Sequence, residues 1–481
     1  MDVFIKPEQI EDRSLQKVLT GIDGLDEITG GGLPQNRPTL ICGGPGCGKT
    51  LLSMEFIVNG IAHYGENGAY ISFEESVQDL SKNVASLGFD IEKMVELKAL
   101  SIREIALQVE PVIEAGNYDL GGLFVQIGHA IDSVKAKRVV IDGIESLFSC
   151  FFNEAVIRAE LKKLFQWLKE KEVTAIITCE RGEGQTLISR HGIEEYTSDC
   201  VILLDQRLID QTSIRRLRIL KYRGSLHGTN EYPFLVTRQG ISILPVTSMH
   251  LDYDVSEERI STGTACLDEM LSGKGVLKGT SILISGTAGT GKSSLAAHFA
   301  ASVCKQGNPC VYFAFEESAK QIARNMRSIG LDLSPYVDSG LLKFHAIRPT
   351  QYNVETHLLT MQNVIKSLSP AAVIIDPISN LTSVAVIADI KSMFARLLDS
   401  LKRHQVTTLS TDLTTGGKAL ETTEVGLSSI MDTWILLKNK KKKKSRERII
   451  QIIKSRGIPH SSAINTFEIT TKGIILSKDP K

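Results

Sequence analysis

Short apolar runs alternate along the chain with longer stretches whose apolar residues recur every three or four positions. TLIC at 39–42, AYISFE at 69–74, RVVID at 138–142 and TAIITCE at 174–180 read as buried strands. The segment from Lys49 to about Tyr64 and AELKKLFQWLKEK at 159–171 read as amphipathic helices. This alternation predicts an α/β fold, a mostly parallel twisted sheet flanked by helices. After Cys200 the pattern changes to hairpin strands, in CVILLD, SIRRLRILKYRG and YPFLVT.

The whole pattern then occurs a second time. Gly21, Leu25 and Asp26 recur as Gly263, Leu267 and Asp268. GGPGCGKT at 43–50 recurs as GTAGTGKS at 286–293, and FEES at 73–76 recurs at 315–318. RVVIDGIES recurs as AVIIDPISN, and KYRGSLH at 221–227 recurs as KSRGIPH at 454–460. Landmarks in one order, with spacing drifting from 243 (292 − 49) to 233 (454 − 221), mean a duplicated domain. The expected domains are 1–245 and 246–481.

A length of 481 residues suits such a pair. Lys plus Arg and Asp plus Glu number 55 each, so net charge gives no pull toward nucleic acid or anionic membrane. No apolar run reaches membrane-spanning length, and Met1 to Ser14 lacks a signal-peptide core; a cytoplasmic protein is expected. The eight cysteines form no CxxC pair and are expected to be buried, reduced thiols. Lys440 to Lys444, with Arg446, is a basic block without interleaved aromatics; it reads as an exposed hairpin tip rather than a nucleic-acid platform.

The chemistry concentrates in the repeated motifs. A phosphate-binding loop needs glycines so that its backbone N–H groups can point inward. It also needs a lysine for the β and γ oxygens and a hydroxyl for Mg²⁺. Gly43, Gly44, Gly46, Cys47, Gly48, Lys49, Thr50 and Leu51 meet this pattern. So do Gly286, Thr287, Ala288, Gly289, Thr290, Gly291, Lys292, Ser293 and Ser294. Each follows an apolar strand and opens a helix, whose N-terminus favours anions. Asp142 and Asp376 end apolar strands and are candidates for the Mg²⁺ shell with Thr50 and Ser293. Glu74, Glu75, Glu316 and Glu317 are candidate bases for the attacking water. One acid of each pair would contact the metal or its waters, Glu316 among them, and the sequence leaves open which glutamate is the base. Lys221, Arg223 and His227 recur as Lys454, Arg456 and His460, a cationic KxRGxxH element far along the chain from its own phosphate loop. It is expected to reach the ATP of a neighbouring subunit in a closed ring, with Arg448 (Arg215 in the first half) flanking the base.

Together the two loops, FEES, IDGIES and IDPIS, KxRGxxH, ERGEG…HGIEEYTSD and IRPTQY resemble the KaiC family of clock ATPases and autokinases. The resemblance spans nearly the whole chain. It implies two RecA-like P-loop NTPase domains, homo-hexameric double rings with ATP between subunits, and Mg²⁺-dependent hydrolysis. It adds Ser86, Tyr222, Ser225, Thr237 and Ser455 to the nucleotide contacts. It also implies serine autophosphorylation in the second domain. Ser428 and Ser429 fall on the family's acceptor pair and Thr423 on a nearby third hydroxyl; Glu195 and Tyr196 stand at the pair's place in the first half. The stretch 118–138 resembles the KaiB docking region. The chain runs only about eight residues past Gly473, without the tail that binds KaiA, which favours a KaiB-linked signalling or stress role over a KaiA-driven oscillator. The competing reading is a RecA- or DnaB-like nucleic-acid ATPase on the same core.

Overall fold

The computed structural model describes residues 15–105, 121–148, 154–181, 198–209, 212–237, 240–244, 255–414, 426–442 and 445–477. The chain divides into two compact units, 1–246 and 247–481. Each is built on a nine-stranded sheet.

In the first unit the phosphate-loop strand Pro38–Gly43 is central, between Thr174–Glu180 and Cys200–Ile209 and parallel to both. Arg138–Asp142, Gly68–Ser72 and Leu100–Glu104 extend the parallel part on one side. Thr212–Tyr222, Glu231–Thr237 and Gly240–Ile243 extend the other side as an antiparallel meander. Parallel strands covered on both faces read as continuous apolar runs, which is why PTLICG is buried throughout. Alternate residues feed two cores. Ile41, Tyr70, Val140 and Ile176 pack beneath the helix Lys49–Tyr64. Leu40, Cys42, Ile141 and Ile177 pack beneath Gly121–Val134 and Glu154–Glu170.

The second unit repeats this strand order around Ser281–Gly286. Its neighbours are Thr407–Leu413 and Thr433–Lys442, and the helix Lys292–Lys305 follows the loop. The α/β architecture of tandem, mostly parallel sheets is therefore the one expected from the apolar pattern.

Candidate functional site

Both phosphate loops are shaped by backbone that a side chain would disrupt. Gly46 and Gly48 adopt φ of 71° and 106°, and Gly289 and Gly291 of 74° and 100°, values that glycine alone adopts without strain. A Cβ on Gly43 would lie 2.7 Å from the Leu204 carbonyl oxygen, and one on Gly286 2.5 Å from that of Leu437. Lys49 Nζ curls over the loop and donates to the carbonyls of Gly43 (2.7 Å) and Gly44 (3.1 Å). Lys292 does the same with Gly286 (2.9 Å) and Thr287 (3.0 Å). In the loop itself Thr290 donates to the Thr287 carbonyl, while its counterpart Cys47 is a buried thiol pushed up by that burial.

The acids converge on these loops through strand pairing. Gly68–Ser72 ends before FEES, so Glu74 and Glu75 lie in the loop beyond it. That loop stays beside the strand Arg138–Asp142 because Phe73 N donates to the Asp142 carbonyl. Asp142 accepts at Oδ2 from Thr50 (3.0 Å) and Tyr70 (2.6 Å), and at Oδ1 from Thr178 (2.5 Å). Asp376 accepts from Tyr312 (2.6 Å) and Thr411. Burial first, then Asp142 and Glu180, push the Glu74 carboxyl up. Glu75 instead turns to Asn83, whose Nδ2 donates to it at 3.2 Å, and Glu317 is held likewise by Asn325 at 3.0 Å. Glu74 and Glu75 thus have different surroundings.

In the second unit Lys292, Ser293, Glu316, Glu317, Asp376 and Arg448 line one cavity of about 420 Å³, within the usual size of a small-ligand site. A glycine cradle, a lysine, a helix N-terminus and a hydroxyl–carboxylate pair fit a triphosphate with Mg²⁺. No cluster of three or more His, Cys, Asp or Glu suited to a metal occurs among the described residues. Thr50 with Asp142, and Ser293 with Asp376 and Glu316, are the residues that could hold the ion, with phosphate oxygens and water completing its shell, as Mg²⁺ prefers.

The KxRGxxH cations lie elsewhere. Cys200 pairs with Thr39 and Tyr222, so Lys221 and Arg223 stand at the start of the phosphate-loop strand, whereas the loop leaves its end. Arg223 approaches Asp199 (3.7 Å), which also holds Lys169 (2.6 Å). Arg456 approaches Asp432 (3.8 Å), bonded to Lys402. Lys454 and Arg456 donate to the Ser429 carbonyl at 3.5 and 3.1 Å. Ser428 and Ser429 sit in the short 3₁₀ turn Leu427–Ser429; Ser428 is half-buried and Ser429 exposed.

Several other residues expected at the nucleotide make local contacts of their own. Tyr222 is turned inward and donates to Gly32, its ring beside His227. Ser225 bonds the next carbonyl, Ser455 bonds Thr433, and His460 lies against the Ile458 carbonyl. Thr237 closes its own hairpin through Gly240, and Ser86 ends the helix Val77–Ala85. Arg448 is at its own loop, where Nε donates to Gly289. Lys440, Lys441 and Lys442 form the far end of an antiparallel hairpin. Thr423, Glu195, Tyr196, Lys443, Lys444 and residues 118–120 lie outside the described residues.

Sequence reasoning missed four kinds of support. Tyr70 and Tyr312, and Asn83 and Asn325, recur at the offset of FEES (242), and Thr178 and Thr411 at that of KxRGxxH (233), a signal open to a closer alignment of the halves. Glu145 left no such signal, since the second unit has Ser379 at its place. Burial pushes the Glu145 carboxyl up to about 7, aided by Glu74 and Glu180; its Oε2 is buried with no hydrogen-bond partner among the described residues.

No helix among the described residues is long and apolar enough to cross a membrane. A family profile described as "ATPase: KaiC" matches residues 18–248 and again 260–481. The circadian clock protein KaiC2 of Synechocystis sp. is 50% identical over 465 residues, 96% of this chain and 82% of that protein. The circadian clock oscillator protein KaiC of Synechococcus elongatus is 36% identical over 466 residues, 96% and 89% of the two chains. KaiC3 of Synechocystis sp. is 35% identical over 473 residues, 97% and 93%. With both halves matched and both phosphate loops built as their motifs require, the chain belongs to the KaiC family of nucleotide-binding ATPases.

Proposed function

We propose that this KaiC-family protein hydrolyses ATP at both phosphate loops, and transfers phosphate to Ser428 or Ser429 across subunits of a homo-hexameric ring. One observation carries the proposal. The cations and the acceptor serines of the second unit lie at the sheet end opposite that unit's own phosphate loop. Asp432 N donates to Ser281 O, at the start of the strand that ends in Gly286. Five residues of strand span about 16 Å, whereas in-line transfer needs reacting atoms about 3–3.5 Å apart. A neighbouring copy brings the two ends together.

Mg²⁺ held by the loop hydroxyl and the strand-end aspartate would neutralise charge developing on the phosphates. Glu74, beside Asp142, and by position Glu316, take the proton of the attacking water or serine hydroxyl. Glu75 and Glu317 are tethered by their asparagines and complete the polar wall. Lys221 with Arg223, and Lys454 with Arg456, stabilise negative charge on the neighbour's γ-phosphate. Helix Gly121–Val134, with Val125 72% exposed, is the surface we assign to a KaiB-like partner.

Phosphate-affinity gels of protein incubated with ATP and Mg²⁺ should show a shifted band that disappears in the Ser428→Ala, Ser429→Ala double variant. An unshifted wild type, or a shift surviving in the variant, would overturn the autokinase assignment. Light scattering with and without ATP tests the ring; a monomer under both conditions defeats the transfer between subunits.

A further inference from the structure

Beneath the first phosphate loop two thiols meet. Cys42 and Cys179 are register partners on the parallel strands Pro38–Gly43 and Thr174–Glu180. Both are fully buried in the same core, and their Sγ atoms are 3.1 Å apart. The matching pair of the second unit is Ser285 and Asp412, so the dithiol belongs to the first unit alone. Neither thiol has a part in the phosphoryl chemistry above. Neighbouring strands lie about 4.8 Å apart, inside the span of about 4.4–6.8 Å between Cα atoms that disulfides accept. Bond formation therefore asks for about 1 Å of sulfur movement, from 3.1 Å to roughly 2.0 Å.

We propose that Cys42 and Cys179 form a peroxide-sensitive modification site controlling the first phosphate loop. One thiolate attacks the peroxide oxygen; the O–O bond breaks, hydroxide leaves and a sulfenic acid forms. The second thiolate attacks that sulfur and expels the hydroxyl group. Two thiols and one hydrogen peroxide become one disulfide and two waters, the two electrons passing from sulfur to oxygen. Because both thiols are buried, the rate is set by local opening of this part of the sheet.

The consequence follows from what is attached to these residues. Cys42 precedes Gly43, whose carbonyl seats the Lys49 ammonium and also accepts from Arg181 N at 3.2 Å. Arg181 is two residues beyond Cys179. Drawing the sulfurs together shifts the two strand ends that meet at this carbonyl. A misplacement of about 1 Å at a catalytic group can cost about 10²-fold in rate. The corresponding seat in the second unit, Lys292 on Gly286, is built over a serine and an aspartate and stays as it is. The effect on turnover rests on the proposed role of Lys49; the formation of the bond does not.

The full-length protein is treated with hydrogen peroxide, capped with N-ethylmaleimide, digested without reductant and analysed by mass spectrometry. A linked pair of peptides holding Cys42 and Cys179, two hydrogens lighter than their sum, is expected. It should vanish with dithiothreitol and in both Cys179→Ser and Cys42→Ser proteins. Turnover measured in a Lys292→Ala background should fall up to about 10²-fold on oxidation and recover on reduction, and the Cys179→Ser protein should resist the treatment. The proposal is overturned by a link confined to other cysteines, by single-cysteine oxidation only, or by a 42–179 link that leaves nucleotide binding and turnover unchanged. Reduced protein with no turnover at all would count against the proposed function, and the peptide map would still decide whether the bond forms.

Discussion

Glu55 offers a test of how the first unit's helix is locked to its sheet. It lies in the helix Lys49–Tyr64 and is 4% exposed; its Oε2 accepts from Ile241 N at 2.7 Å on the strand Gly240–Ile243. Burial pushes its carboxyl up from 4.5 to about 7, with Asp23 adding to the effect and the Ile241 hydrogen bond opposing it. The folded protein therefore holds a proton at pH values where the unfolded chain has released it. The sign is fixed by that difference: the contribution is fully present below about 4.5 and is lost as pH rises through about 7. A shift of this size at about 1.4 kcal/mol per unit is worth about 3 kcal/mol. Glu55→Gln keeps the shape and an acceptor for Ile241 but cannot ionise. Hydrogen exchange of peptides covering 49–64 and 240–244, corrected for intrinsic exchange rates, reads the local opening energy. Wild-type protection should fall by about 10²-fold between pH 5 and 8, and the Glu55→Gln protein should show a flat profile. Equal slopes in the two proteins would refute the assignment of this linkage to Glu55.

Two further outcomes test the site. Gly43→Ala should lower stability by about 1–3 kcal/mol and abolish nucleotide binding at the first loop, because the new methyl meets the Leu204 carbonyl at 2.7 Å; Gly44→Ala, with open space at that point, should leave the melting temperature unchanged in thermal-shift assays. Arg223→Ala should reduce first-unit turnover by about 10³-fold or more. Mixing it with Lys49→Ala protein should restore part of the activity, since mixed rings pair an intact loop with an intact cation; failure of mixing to rescue would show that Arg223 does not act between subunits.

The phosphate loops, the duplication and the α/β class are legible in the residues alone. Those signals are local: glycines at fixed spacing, a strand before and a helix after, and two apolar periodicities. Even the helix from Lys49 to Tyr64 was bounded by its own residues, opening at Gly48 and closing at Gly65 in the left-handed conformation. Who stands beside whom is settled only when the chain folds. Glu74 and Glu75 are adjacent in the chain, yet one lies by Asp142 and the other by Asn83. Arg448 and Arg456 are eight residues apart on one hairpin, yet the strand between them carries one to the phosphate loop and the other to the opposite end of the sheet. Cys42 and Cys179 become neighbours only because their strands align in register. Strand order and register fix these meetings, and they arise from burying both faces of the sheet at once, which no short stretch of sequence encodes.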